Sequence, residues 1–160
     1  MSSLARTLSI IKPDAVERNL TENIKQYFVN NKLKIVKEKK IQITKEEAAE
    51  FYKVHQTKPF YDRLFNYLSS GPITVIILEG DNAIKENRRI MGATYPIKAE
   101  DGTIRKKYGI SIDKNSVHGS DSIENAKKEI EFFFKNKLNL KNFTYCTRIS
   151  FIFFKLNLFF

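Results

Sequence analysis

Residues Ile73 to Glu79 (ITVIILE) form the run that most limits how this chain can fold. The run is continuous, apolar and β-branched, so a strand here must be covered on both faces and belongs at the centre of a sheet. Thr7-Leu8-Ser9-Ile10-Ile11 is a second, shorter run of the same kind. Pro13 ends it, because proline cannot donate to a strand ladder. Lys12 is thereby placed at the C-terminal rim of a buried strand, where ligand-facing residues of such sheets gather.

Between and after these runs the apolar spacing changes. Ile24, Tyr27 and Phe28 recur at helical intervals over 21–31, with Thr21 as the expected cap. Leu33 to Ile43 alternates as a strand, with Lys32, Lys34, Lys37, Lys39 and Lys40 on its wet face. Thr44 is expected to cap a helix from Lys45 to about Val54, and a further helix follows Pro59 and stops at Ser69-Ser70-Gly71-Pro72. Gly80-Asp81 is expected to turn into a helix bearing Arg88 and Arg89. Met91 to Ser116 reads as one long polar loop, of a length usually reserved for function or for a partner surface. Val117-His118 is a short edge strand, and Ile123, Ala126, Ile130 and Phe133 or Phe134 mark a last helix. The order β-α-β-α-α-β-α-loop-β-α predicts an α+β chain with a ferredoxin-like βαββαβ sandwich. Its four-stranded antiparallel sheet would carry helices on one face, plus inserted helices and the long loop. The expected domain covers 1–135. Residues 136–160 are an aromatic-rich extension with no cap and no clear period, and its Cys146 is read as a packing residue.

Bulk chemistry narrows the function. At 160 residues the chain can bury a core without disulfides or metals. A lone cysteine excludes a disulfide framework and a thiolate metal cluster, and fits a reducing, cytoplasmic compartment. Met1 to Arg6 carries no leader pattern, and no run reaches the roughly 18 apolar residues of a membrane span. The net charge of +10 favours anionic partners: nucleotides, nucleic acid or acidic lipid.

The site candidates centre on Asn115-Ser116-Val117-His118-Gly119-Ser120-Asp121-Ser122. Asp121 reads as a helix N-cap and Glu124 as its capping-box partner. Helix N-termini attract phosphate, and a neutral imidazole there is a competent phosphorus nucleophile. The octamer alone fits equally a histidine that only packs near a helix start. His55, the other histidine, reads as structural, at the end of its helix.

Together with that octamer, the segments TLSIIKPDA (7–15), Pro59-Phe60, Ser70-Gly71-Pro72, Met91-Gly92-Ala93-Thr94 and Gly102-Thr103-Ile104-Arg105 resemble the nucleoside diphosphate kinase family, in order, over roughly residues 5 to 134. The resemblance implies a ping-pong transfer of the γ-phosphate from a nucleoside triphosphate, mainly ATP, to a nucleoside diphosphate through a phosphohistidine. His118 matches the nucleophile. Glu129 matches the carboxylate that orients its other ring nitrogen, with Ser120 behind it. Lys12, Arg88 and Arg105 match the phosphate-binding cations, Thr94 a phosphate-contacting hydroxyl and Tyr52 a phenol near the γ-phosphate. Asn115, with Lys12, matches the ribose contact. Phe60 matches the base-stacking aromatic, Leu64 its neighbour and Ile112 the apolar residue opposite; stacking accepts every base. Gly119 would permit a tight turn and close backbone approach. The resemblance also implies Mg2+ carried by the nucleotide phosphates rather than by protein ligands, and a homohexamer or homotetramer. Tyr95, where the family commonly has Asn, departs from the pattern, as does the extension. A nucleic-acid-binding module on the same fold plan is the rival reading, supported by the charge and the aromatics; nucleic acid is otherwise a secondary partner.

Overall fold

Strand β1 (Leu4–Ile11) lies between two antiparallel neighbours in the computed structural model, which describes residues 4–135. One neighbour is β3 (Ile73–Asp81), paired along the full length of β1; the other is the short edge strand β4 (Val117–Gly119). Strand β2 (Lys34–Ile41) borders β3, which gives the order β2-β3-β1-β4. That order, with β1 and β3 central, is the ferredoxin-like arrangement anticipated from the apolar runs.

The period of two sorts the sheet residues onto two cores. Ile11, Ile76 and Leu78 face one side and pack with Ala15 and Val16 of α1 (Pro13–Glu17) and with Ile24 and Phe28 of α2 (Thr21–Asn30). Ala83, Ile90 and Met91 of α5 (Ala83–Met91) and Ile104 of α6 (Ile104–Tyr108) complete this core. Leu8, Ile10, Ile73 and Val75 face the other side, toward Ala48 of α3 (Lys45–Phe51), Leu68 of α4 (Tyr61–Leu68) and Phe133 of α7 (Ile123–Phe134). Helices α2 and α5 are thus the pair of the βαββαβ plan, and the inserted α3 and α4, with α7, cover the opposite face.

Several local expectations are corrected. The cap of α7 is Ser122, whose Oγ accepts from the Asn125 amide at 3.1 Å. Asp121 lies one residue outside and accepts from Asn125 Nδ2, while Glu124 pairs with Lys128 instead of closing a capping box. Ser122 has the extended backbone a cap needs, and its hydroxyl reaches the amide three residues on. In α2, Thr21 is already helical and Leu20 precedes it, because Asn19 takes a left-handed turn (φ 57°) that reorients the chain one residue early. The Thr44–Glu47 capping box forms, yet α3 ends at Phe51 and a 3-10 turn (Lys53–His55) follows. Strand β3 runs through Gly80, paired with Ala5; a side chain at Gly80 would meet Leu33 Cδ2 at 2.9 Å. The long loop contains a 3-10 turn (Pro96–Lys98) and α6, which Thr103 caps. Five residues with one deeply buried apolar side chain, Ile104, present too little period to be read from sequence.

Candidate active site

The sheet order brings the end of β1 beside β4, with Ile10 opposite His118. Around this point opens a cavity of about 720 Å³. Lys12, Tyr52, Phe60, Leu64, Arg88, Thr94, Arg105, Ile112, Asn115, His118, Gly119 and Glu129 all line it, so residues scattered over most of the chain meet in one place. Ser120 stands behind this wall, fully buried.

His118 is held from two directions. Its Nε2 lies 3.2 Å from Glu129 Oε1, and Ser120 Oγ donates to Glu129 Oε2 at 2.5 Å. A carboxylate acceptor selects the Nε2–H tautomer and leaves Nδ1 with its lone pair. Glu129 is free for this because its helix neighbours are occupied elsewhere: Lys128 pairs with Glu124 and Lys135 with Glu131. The ring also packs edge-on against Phe51 (5.4 Å between centroids) and Tyr52 (6.2 Å). Phe51 reads from the sequence only as an apolar residue of α3, at whose end it stands beside Tyr52; its contact with His118 is a finding of the structure.

Two cations of the wall, Lys12 and Arg105, are buried, whereas Arg88 is exposed. Lys12 Nζ donates to Asn115 Oδ1 at 2.8 Å and to the Asp113 carbonyl at 3.2 Å. Burial and, secondly, the charge of Arg105 lower its pKa to about 8, against the partial compensation of Asp14 and Asp113. Arg105 donates to the carbonyls of Gly92 and Val117, both at 2.9 Å, and its Nε finds no partner among the described residues. Burial and the nearby Arg88 bring its pKa down to about 10. Burial, then the Glu129 charge, pushes the Tyr52 phenol up, so it remains a neutral donor. Cations that depress one another in a confined space form a site primed for a polyanion.

The opposite end of the cavity is apolar and open. Phe60 is 38% exposed and Ile112 48% exposed, so both present apolar surface to the opening. Asn115 uses its amide to tie the walls together: Nδ2 donates to the carbonyls of Thr94 and Ile112, each at 2.9 Å. Tyr95 points outward, 41% exposed, and the Thr94 link survives beside it. His55 also reaches the cavity, with its ring 6.2 Å from Phe60. Gly119 serves space rather than unusual φ. A Cβ there would lie 2.4 Å from Asn87 Nδ2 and 2.8 Å from Met91 Sδ.

An oriented imidazole, a cationic wall and an open aromatic shelf, mounted on a ferredoxin-like sheet, define a nucleotide phosphotransferase. A sequence model of the nucleoside diphosphate kinase family matches residues 5–138. Nucleoside diphosphate kinases of Nitratiruptor sp. and Rhizorhabdus wittichii are 53% and 55% identical to the chain; the aligned regions cover 84% and 81% of it and 98% and 93% of those proteins. A solved nucleoside diphosphate kinase of Aquifex aeolicus superposes with a TM-score of 0.80 at 40% identity, over 82% of this chain and 96% of that one. The chain belongs to the nucleoside diphosphate kinase family and has its phosphotransferase activity. No helix among the described residues is long and apolar enough to cross a membrane.

Proposed function

We propose that the chain interconverts nucleoside tri- and diphosphates by a ping-pong reaction on His118. The observation that carries this reading is the His118–Glu129–Ser120 chain of hydrogen bonds inside the cavity walled by Lys12, Arg88 and Arg105. In the first half-reaction Nδ1 attacks the γ-phosphorus of a triphosphate, mainly ATP. An N–P bond forms, the bond to the β,γ-bridging oxygen breaks, and the diphosphate leaves. Nε2 keeps its proton on Glu129, so the phosphoimidazole needs no proton transfer to form. In the second half an oxygen of the incoming diphosphate attacks the same phosphorus and the N–P bond breaks. The transition state spreads negative charge over oxygens, and fixed cations stabilise it at no cost of reorganisation.

The remaining roles are part of the same proposal. Arg88, Arg105, Lys12 and the Thr94 hydroxyl hold the phosphates, and Tyr52 donates near the transferred group. Lys12 and Asn115 meet the ribose. Phe60, Leu64 and Ile112 hold the base, with little discrimination. Lys12, Arg88 and Arg105 fit phosphate oxygens, and a magnesium ion would be held by those oxygens. When bound it neutralises part of the phosphate charge. Both faces of the sheet are covered by helices, which leaves no open sheet face for stacked bases and favours the enzyme over the nucleic-acid-binding reading. The proposal extends to a cytoplasmic homo-oligomer, hexamer or tetramer, and to a kinase domain over 1–135 with 136–160 as an extension outside the described residues.

His118→Ala is expected to abolish transfer from ATP to a nucleoside diphosphate. ATP alone is expected to leave an acid-labile, base-stable phosphoenzyme on the unmodified chain. Appreciable turnover by the variant, or a missing phosphoenzyme, refutes the scheme. Sizing with and without 136–160 tests the assembly.

A further inference from the structure

Immediately before the strand that carries His118, the chain makes a turn that residues other than glycine rarely adopt. Ser116 sits at φ 70°, and the Val117 amide donates back to the Asn115 carbonyl at 2.8 Å. An i to i+2 hydrogen bond around a positive-φ residue is the strained form of γ-turn. Strain of this kind persists only where neighbouring contacts over-determine it. Ser116 is fully buried and its own hydroxyl supplies such contacts. Its Oγ donates to Asp14 Oδ2 at 3.1 Å and accepts from Arg18 Nη2 at 3.2 Å, while its carbonyl accepts from the Lys12 amide at 2.9 Å.

Asp14 is held in turn. Its Oδ1 accepts from the Tyr67 hydroxyl at 2.5 Å, its Oδ2 from Arg18 at 3.2 Å, and its amide donates to the Tyr67 oxygen at 3.1 Å. Arg18 Nη2 also reaches the Tyr108 carbonyl at 2.7 Å. Helix α1, helix α4 and the end of α6 are therefore tied to one strained residue. Neither Asp14 nor Ser116 lines the cavity.

We propose that Asp14 and Ser116 form a clamp that positions the nucleophile. This rests on the assignment of His118 as phosphoacceptor. The turn sets the direction in which the chain leaves Asn115: the Asn115 amide falls onto Lys12, and Val117 and His118 enter the ladder opposite Ile11 and Ile10. Relaxing Ser116 to an ordinary negative φ removes the reversal and shifts His118 relative to Lys12. Asp14 and Ser116 are positioning residues; they act through the backbone and need not touch nucleotide.

The test is the rank of two variants. Ser116→Ala loses the hydroxyl but keeps the steric cost of positive φ, so the turn relaxes. Ser116→Gly loses the same hydroxyl but adopts φ 70° freely. The expected result, in single-turnover phosphorylation by ATP, is about a tenfold slower rate for Ser116→Ala and a rate within about threefold of the parent for Ser116→Gly, with nucleotide affinity little changed in both. A purely packing role predicts the reverse, because glycine leaves the larger void and the more flexible chain. Ser116→Ala equal to or faster than Ser116→Gly overturns the proposal. Asp14→Asn, which keeps the volume and removes the charge, should show the same slowing, checked for folding by thermal melting; parent-like kinetics overturns the clamp. Activity in His118→Ala would instead remove the nucleophile itself, so the two failures are distinguishable.

Discussion

Binding of a nucleoside diphosphate should draw a proton onto the enzyme, and Lys12 is the reason. In the empty cavity its pKa is about 8, mainly through burial and then through Arg105. About half of the unliganded molecules therefore carry a neutral lysine at pH 8, about nine-tenths at pH 9 and about one-tenth at pH 7. A docked diphosphate brings negative charge to the same wall and returns Lys12 to its ordinary ammonium form. Uptake per site is then about 0.5 proton at pH 8, about 0.9 at pH 9 and about 0.1 at pH 7. The ligand does not obscure this, because a phosphate with a second pKa near 6 is fully ionised above pH 8. Affinity should fall by up to about tenfold per pH unit between about pH 8 and the ordinary lysine value. Titration calorimetry with ADP in buffers of different ionisation enthalpy measures the uptake directly. Lys12→Met should abolish it. An uptake below about 0.1 at pH 8, or the same uptake in Lys12→Met, refutes the assignment of a depressed, phosphate-linked lysine.

The same linkage makes the unliganded protein more stable as pH rises. Folded Lys12 (pKa about 8) binds fewer protons than the unfolded residue (ordinary value 10.5) between those two values. The destabilisation it imposes, up to about 3 kcal/mol, is complete below pH 8 and disappears as pH rises through that window. Urea melts of the parent and Lys12→Met across pH 7–10 should converge at the alkaline end; a constant difference counts against the idea. Glu129→Gln should lower kcat at least tenfold by loosening the imidazole and its tautomer, read by steady-state transfer with thermal melting as control; unchanged kcat contradicts the orienting role. Phe60→Ala should weaken binding of purine and pyrimidine diphosphates alike, by about 1–3 kcal/mol of lost stacking. A loss confined to one base class would point to edge recognition instead. Gly119→Ala should cost about 1–3 kcal/mol of stability as its methyl meets Asn87 and Met91; an unchanged melting temperature would show that these side chains yield freely.

Much of the architecture was legible before any coordinates. The unbroken run at Ile73–Glu79 demanded two covered faces, and it became one of the two central strands between two cores. Periods of two and of 3.6 survive in any context with one buried face, which is why β2, α2 and α7 were found, while β1 was legible as an unbroken apolar run ended by Pro13. Short elements defeated the same logic. Helix α6 offers a single turn, and the cap of α7 depended on which of two adjacent hydroxyl and carboxyl groups reached an amide. The site residues were recognised by resemblance, since nothing local distinguishes Arg88 from an ordinary surface arginine.

What the amino-acid sequence determined by itself was the inventory: which strands must be buried, where proline and glycine break them, and the presence of a histidine beside a small-residue turn. Only the tertiary structure decided how those groups act on one another. Lys12 is far from His118 along the chain and meets it because β1 pairs with β4, while Arg105 is fixed beside them by its bond to the Val117 carbonyl. Desolvation, with repulsion by Arg105 on Lys12 and by Arg88 on Arg105, then lowers the two cations' pKa values, and Glu129, two turns into a helix, meets one ring nitrogen of His118. Charge state and orientation depend on distances across space, and a linear order of residues does not contain them.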